Sequence, residues 1–148
     1  MSQSQENQVY EFAAGSIQLM WKGYFFVRMN DHSISTIESV KESHDIMQRL
    51  KPEGEVYILV HAGIGSDSED EIFEYVMNSD FNKRVKGQAI LVKDLATRLM
   101  GNLFLRYLRN QRQIKMFTAY NSAESWLLQQ MGKNGGVTDK PKNLMLSY

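Results

Sequence analysis

The chain has no cysteine and only two prolines among its 148 residues. The missing thiols exclude disulfides, thiolate metal sites and a cysteine nucleophile together. Long apolar runs are missing too: Tyr57–Val60 and Ala89–Val92 fall far short of the roughly 20 residues that span a bilayer. The first eight residues are polar and lack the charged-then-apolar layout of an export signal, so a cytoplasmic protein is expected. A net charge of one sign is also absent, because 17 basic side chains meet 17 acidic ones. That balance argues against nucleic acid as a partner.

What is present is an ordinary globular composition. Hydrophobic residues make up 43%, enough at this length for one domain with its own core. The zero net charge hides a split. Residues 1–82 carry 5 basic and 14 acidic side chains, a net −9, and residues 83–148 carry 12 and 3, a net +9. Complementary surfaces steer association, so a homodimer or a protein partner is expected.

The organisation reads as a flexible N-terminus over 1–7, one domain over 8–131 and a tail over 132–148. Three β-prone segments come first, about Val9–Ala13, Ile17–Trp21 and Tyr24–Met29, with Lys22-Gly23 suited to a tight hairpin turn. Apolar spacing predicts a helix over Thr36–Leu50, with Ser35 and Glu38 as a capping box. Pro52 and Gly54 close it. From there strands and helices alternate: strand Val56–Val60, helix Glu69–Met77 capped by Ser68, strand Gln88–Val92, helix Leu95–Arg109 capped by Asp94, strand Ile114–Thr118, and a last helix opened by Asn121. The pattern predicts an α/β domain with a mixed sheet: an N-terminal antiparallel meander, then alternating β-α units with helices packed on the sheet.

No catalytic residue, metal site or cofactor is expected. His32, His44 and His61 are too dispersed for a metal motif, and no Gly-x-Ser-x-Gly elbow accompanies Ser66 or Ser68. The loop from His61 to Ser68 follows a core strand and holds Gly63-Ile-Gly65, superficially a phosphate cradle. No lysine follows, and Asp67, Glu69, Asp70 and Glu71 would repel a phosphate. A capped turn is the better reading, with His61, Ser66, Asp67 and Ser68 left as a candidate regulatory loop.

The helix Leu95–Arg109 carries the most information. At about 100° per residue, Leu99, Met100, Leu103, Phe104, Tyr107 and Leu108 cover nearly half its circumference. Arg98, Asn102, Arg106 and Arg109 gather opposite, with Leu105 beside them, and Gly101 marks a close contact or a bend. Core packing with a solvated basic face is the plain reading. The sharper one is a surface helix whose apolar side meets an apolar small molecule, an anionic membrane surface or a partner. Tyr24 and Phe26 fall on one side of their strand and Phe25 on the other, so that hairpin is either core on both faces or leaves one face for a partner or ligand.

The stretch from Gly87 to Arg106, then Lys115–Thr118 and the tryptophan-bearing Ser122–Gln129, resembles small bacterial proteins of the SpoIIAA-like, STAS-type family. The similarity is clearest over about residues 55–130. It implies a non-enzymatic module that works by binding partners. Asp67-Ser68 matches the Asp-Ser pair whose serine is phosphorylated in anti-sigma-factor antagonists, but Glu69-Asp70 replace the small residues that follow there. A related branch resembles lipid-carrier domains that hold lipophilic molecules under a mobile helix, and helix 95–109 fits that branch best.

Overall fold

Three short strands, β1 (Val9–Phe12), β2 (Gly15–Leu19) and β3 (Phe25–Met29), open the chain as an antiparallel meander. The computed structural model describes residues 8–69 and 71–133; positions 95, 96, 100, 101, 103, 104 and 107 enter it through their helical backbone alone. Gly23, at φ 107°, makes the predicted turn between β2 and β3, where its N–H donates to the Met20 carbonyl at 2.8 Å.

The chain continues through β4 (Ile34–Ser35), α1 (Ile37–Leu50), β5 (Val56–His61), β6 (Asp67–Ser68), α2 (Glu71–Asn78) and α3 (Asp80–Arg84). The last described elements are β7 (Val85–Leu91), α4 (Leu95–Leu108), β8 (Gln113–Phe117) and α5 (Tyr120–Lys133). One six-stranded sheet runs in the order β1-β2-β3-β5-β7-β8, and its last four strands are parallel. The domain is therefore α/β, with the meander and parallel core that the sequence predicts.

The order β3-β5-β7-β8 advances in one direction across the sheet. Crossovers of one hand then place every connecting helix on the same face. That face carries α1 to α4, packed on Ile17, Phe25, Val27, Val56, Ile58 and Val85. The other face is covered by α5, whose Ala123, Leu127 and Met131 meet Tyr24, Tyr57, Leu59, Ala89 and Leu91. Alternation along β5 explains the division: Ile58 and Val60 point one way, Tyr57 and Leu59 the other.

Several element ends differ from the sequence reading. Ser35 does not cap α1: it lies in β4, paired with Ser68 of β6, two positions before the first helical residue Ile37. Thr36 caps instead: its Oγ1 accepts the Ser39 N–H at 3.0 Å, and Ser39 Oγ accepts the Thr36 N–H at 2.9 Å. The same pairing takes Ser68, and α2 begins only at Glu71. Helix α3 was not anticipated, although Ser79 caps it by accepting the Asn82 N–H at 3.1 Å. Helix α5 starts one residue before Asn121 and runs to Lys133, taking in the first two positions read as tail; the rest of the tail and residues 1–7 lie outside the described residues. No described helix is long and apolar enough to cross a membrane.

Candidate functional site

A cavity of about 180 Å³ lies between the four-helix face of the sheet and α1, α2 and α4. Val27, Ile58, Val60, Ile90 and Val92 wall it from the sheet side; Val40, Met47, Val76 and Leu108 wall it from the helices. For scale, an apolar cavity of roughly 150 Å³ stays dry and accepts a benzene ring.

One end of the cavity is polar. Arg112, in the turn between α4 and β8, is only 7% exposed. Its Nη1 donates to Gln88 Oε1, while Nε and Nη2 have no partner among the described residues. Burial draws its pKa down to about 10, so the guanidinium keeps its charge at neutral pH. Asn82, 3% exposed, donates from Nδ2 to Gln111 Oε1 at 2.6 Å, and its Oδ1 has no partner among the described residues. His44 also lines the wall, its ring 4.7 Å from Phe81 and 6.3 Å from Tyr75. Burial, and then the charge of Arg112, lower His44 to about 4 against a smaller opposing effect of Asp45. At pH 7 the cavity thus holds one charged guanidinium beside a neutral imidazole.

The opposite rim is built at the carboxyl ends of the strands. Ser35, Ser66, Asp67, Ser68 and Thr97 line it. The glycine loop offers no phosphate cradle, because its amides are already engaged. Ile64 N–H donates to Asp31 Oδ1 at 2.8 Å, Gly65 N–H to Thr97 Oγ1 at 3.2 Å and Ser66 N–H to the Gly63 carbonyl at 3.1 Å. The glycines serve close approach: a Cβ on Gly63 would stand 2.3 Å from the Asn30 carbonyl oxygen, and Gly65 sits at φ 69°.

The residues singled out from sequence separate into three places. Ser66, Asp67 and Ser68 stand on the cavity rim. His61 does not join them; it alternates onto the α5 side of β5, and among the described residues no hydrogen bond links it to Ser66 or Ser68 and its Nδ1 has no partner. Its pKa is lowered by burial first, then by Arg28 and Lys93, against a smaller effect of Asp31. Tyr24 and Phe26 also lie on the α5 face, packed in the cluster beneath α5, so they are core and do not leave that face of the hairpin to a partner or ligand. The Tyr24 hydroxyl donates to Glu124 Oε2 at 2.5 Å and lies 2.5 Å from the Tyr120 hydroxyl.

On α4, Arg98, Asn102 and Arg106 are exposed, as is its C-cap Arg109, and Leu105 is half-buried. Leu99 is corrected: placed on the apolar face by its spacing, it is 59% exposed among the arginines. Leu99 and Leu108 are nine residues apart, half a circle at about 100° per residue. Thr97 and Leu108 turn inward, so Leu99 must turn outward. Gly101 and Phe104 lie outside the described side chains. Arg112, Gln88 and Asn82 were missed, since a lone arginine after a basic helix reads only as part of the positive stretch.

A family model described as Domain of unknown function (DUF7793) matches residues 18–131. No curated protein and no solved structure matches the chain.

Proposed function

The chain belongs to the DUF7793 family, and we propose that it is a non-enzymatic binding module that takes a small lipophilic molecule between its sheet and helices α1, α2 and α4. The observation that carries this reading is the 180 Å³ cavity, whose exposed lining is mostly apolar between the Arg112 end and the serine rim. A well-packed interior leaves few spaces larger than a water molecule, so a cavity of this size and lining suits a small apolar occupant. The resemblance to the lipid-carrier branch of SpoIIAA-like proteins supports the same reading. Titration with octan-1-ol tests it. Saturable binding is expected to raise the melting temperature, by the stabilisation that any ligand of the native state gives, and to shift NMR signals of Val60, Ile90 and Leu108. Absence of saturation, or shifts confined to α5, would overturn it.

A second reading rests on Leu99. An exposed leucine among Arg98, Asn102 and Arg106 suits an anionic membrane surface, from which such a ligand would be drawn. Co-sedimentation with phosphatidylserine vesicles but not phosphatidylcholine vesicles, weakened by salt and by Leu99→Asp, is the expected result. Equal behaviour with both vesicles would remove it.

A further inference from the structure

We propose that the Arg112 end of the cavity is an anion subsite, and that the lipophilic ligand is a monocarboxylate whose head group sits against Arg112, Gln88 and Asn82. This inference rests on the cavity being a ligand site and adds the chemical class of the ligand.

The argument starts from a charge without a counter-charge. A buried guanidinium is costly unless paired and hydrogen-bonded. Arg112 nevertheless has one hydrogen bond, to the neutral amide of Gln88, and no ion pair among the described residues. The ion pairs that the described residues do form, Lys22–Glu124 and Lys83–Asp80, are on other elements. An unbranched apolar side chain would fill the same space without that cost. The charge is explained if something from outside neutralises it.

The free atoms say what shape that group has. Nε and Nη2 together make one edge of the guanidinium, with two N–H groups pointing the same way. This edge is the fork that takes both oxygens of a carboxylate. Asn82 Oδ1, the other atom at this end without a partner among the described residues, accepts from a water or a hydroxyl. Charge count favours a monoanion: one guanidinium neutralises one carboxylate, while a dianionic phosphate would leave an uncompensated charge in an apolar cavity. The apolar remainder of the ligand then lies along Val60, Ile90 and Val92, towards the opposite rim.

Octanoate and octan-1-ol share a chain and differ in the head, so calorimetric titration of both at pH 7 isolates the subsite. Octanoate is expected to bind at least about tenfold more tightly, the usual advantage of charge-assisted hydrogen bonds. Octyl phosphate is expected to bind more weakly than octanoate. Arg112→Met should abolish the octanoate advantage while leaving octan-1-ol affinity unchanged or improved. Equal affinities in the unmodified protein, or an Arg112→Met protein that keeps the advantage, would overturn the subsite. The comparison of ligands on the unmodified protein decides the matter even if that variant does not fold. Binding of octan-1-ol without any gain for octanoate removes the subsite and leaves the cavity reading standing; binding of neither removes both.

Discussion

His44 and Tyr24 show what burial does to single titratable groups on the two faces of the sheet. His44 releases its proton near 4 in the folded protein, against 6.5 for an ordinary histidine. Between those values the unfolded chain binds more protons, so stability rises with pH there. The contribution of neutral His44 is complete above pH 6.5 and is lost as the pH falls towards 4, a loss of up to about 3 kcal/mol. His61, shifted in the same direction, adds to it. Urea unfolding from pH 7 to pH 4 should show this decline, and His44→Phe, which keeps a ring beside Phe81 and Tyr75, should flatten it. An unchanged slope in that variant would assign the decline to other groups. Tyr24 is the counterpart on the α5 face. Burial and then the hydrogen bond to Glu124 hold its phenol protonated well above the usual range. Tyr24→Phe takes one partner from Glu124 and should cost about 1–3 kcal/mol in urea unfolding. Leaving Lys22 at 3.1 Å from Glu124 Oε1 limits the damage.

Helix α4 shows how far periodicity reaches at the scale of an element. Its bounds and its Asp94 cap were legible, because Asp94 Oδ2 accepts the Thr97 N–H at 3.1 Å in the ordinary capping geometry. Its facing was legible only in part. An apolar arc covering half the circumference leaves the inward direction undetermined within that arc, and contacts with α2 and β8 settle it around Leu108. Leu108→Ala should therefore cost about 2–5 kcal/mol. Leu99→Asp, at an exposed position, should change stability by no more than about 0.5 kcal/mol. Thermal unfolding of the two variants checks the facing, and the reverse order would rotate the helix. Other elements were hidden for a different reason. The pairing of Ile34-Ser35 with Asp67-Ser68 joins residues about thirty positions apart, and no local signal announces it. Ser35 and Ser68, the two predicted caps, lie in that pairing, two and three positions before the first helical residues Ile37 and Glu71. Arg112 was hidden by composition: in the sequence it is one of many basic residues, and only the fold encloses it with Gln88 and Asn82.

For the molecule as a whole, the decisive asymmetry is between the two faces of one sheet. All the parallel crossovers pass over one face, so three layers of connection, from α1, α2 with α3, and α4, must share it. A single helix, α5, covers the other and packs on it through Ala123, Leu127 and Met131. Helices side by side on a twisted sheet leave gaps unless large side chains fill them, and Val40, Val60, Val76 and Val92 are small. Adjacent positions on β5 therefore predict opposite outcomes for the same added ring. Val60→Phe enlarges a side chain that faces the cavity; it should stabilise the ligand-free protein by about 1 kcal/mol, raising the melting temperature by about 2–4 °C. It should also weaken octan-1-ol binding at least tenfold, by occupying the same space. Leu59→Phe enlarges a fully buried side chain packed against α5, outside that cavity; it should cost about 1–3 kcal/mol and leave octan-1-ol affinity unchanged. Thermal unfolding and calorimetry on the two variants decide it. If both lose stability alike, the two faces are equally packed in solution, and the cavity between the sheet and α1, α2 and α4 cannot be what distinguishes this domain.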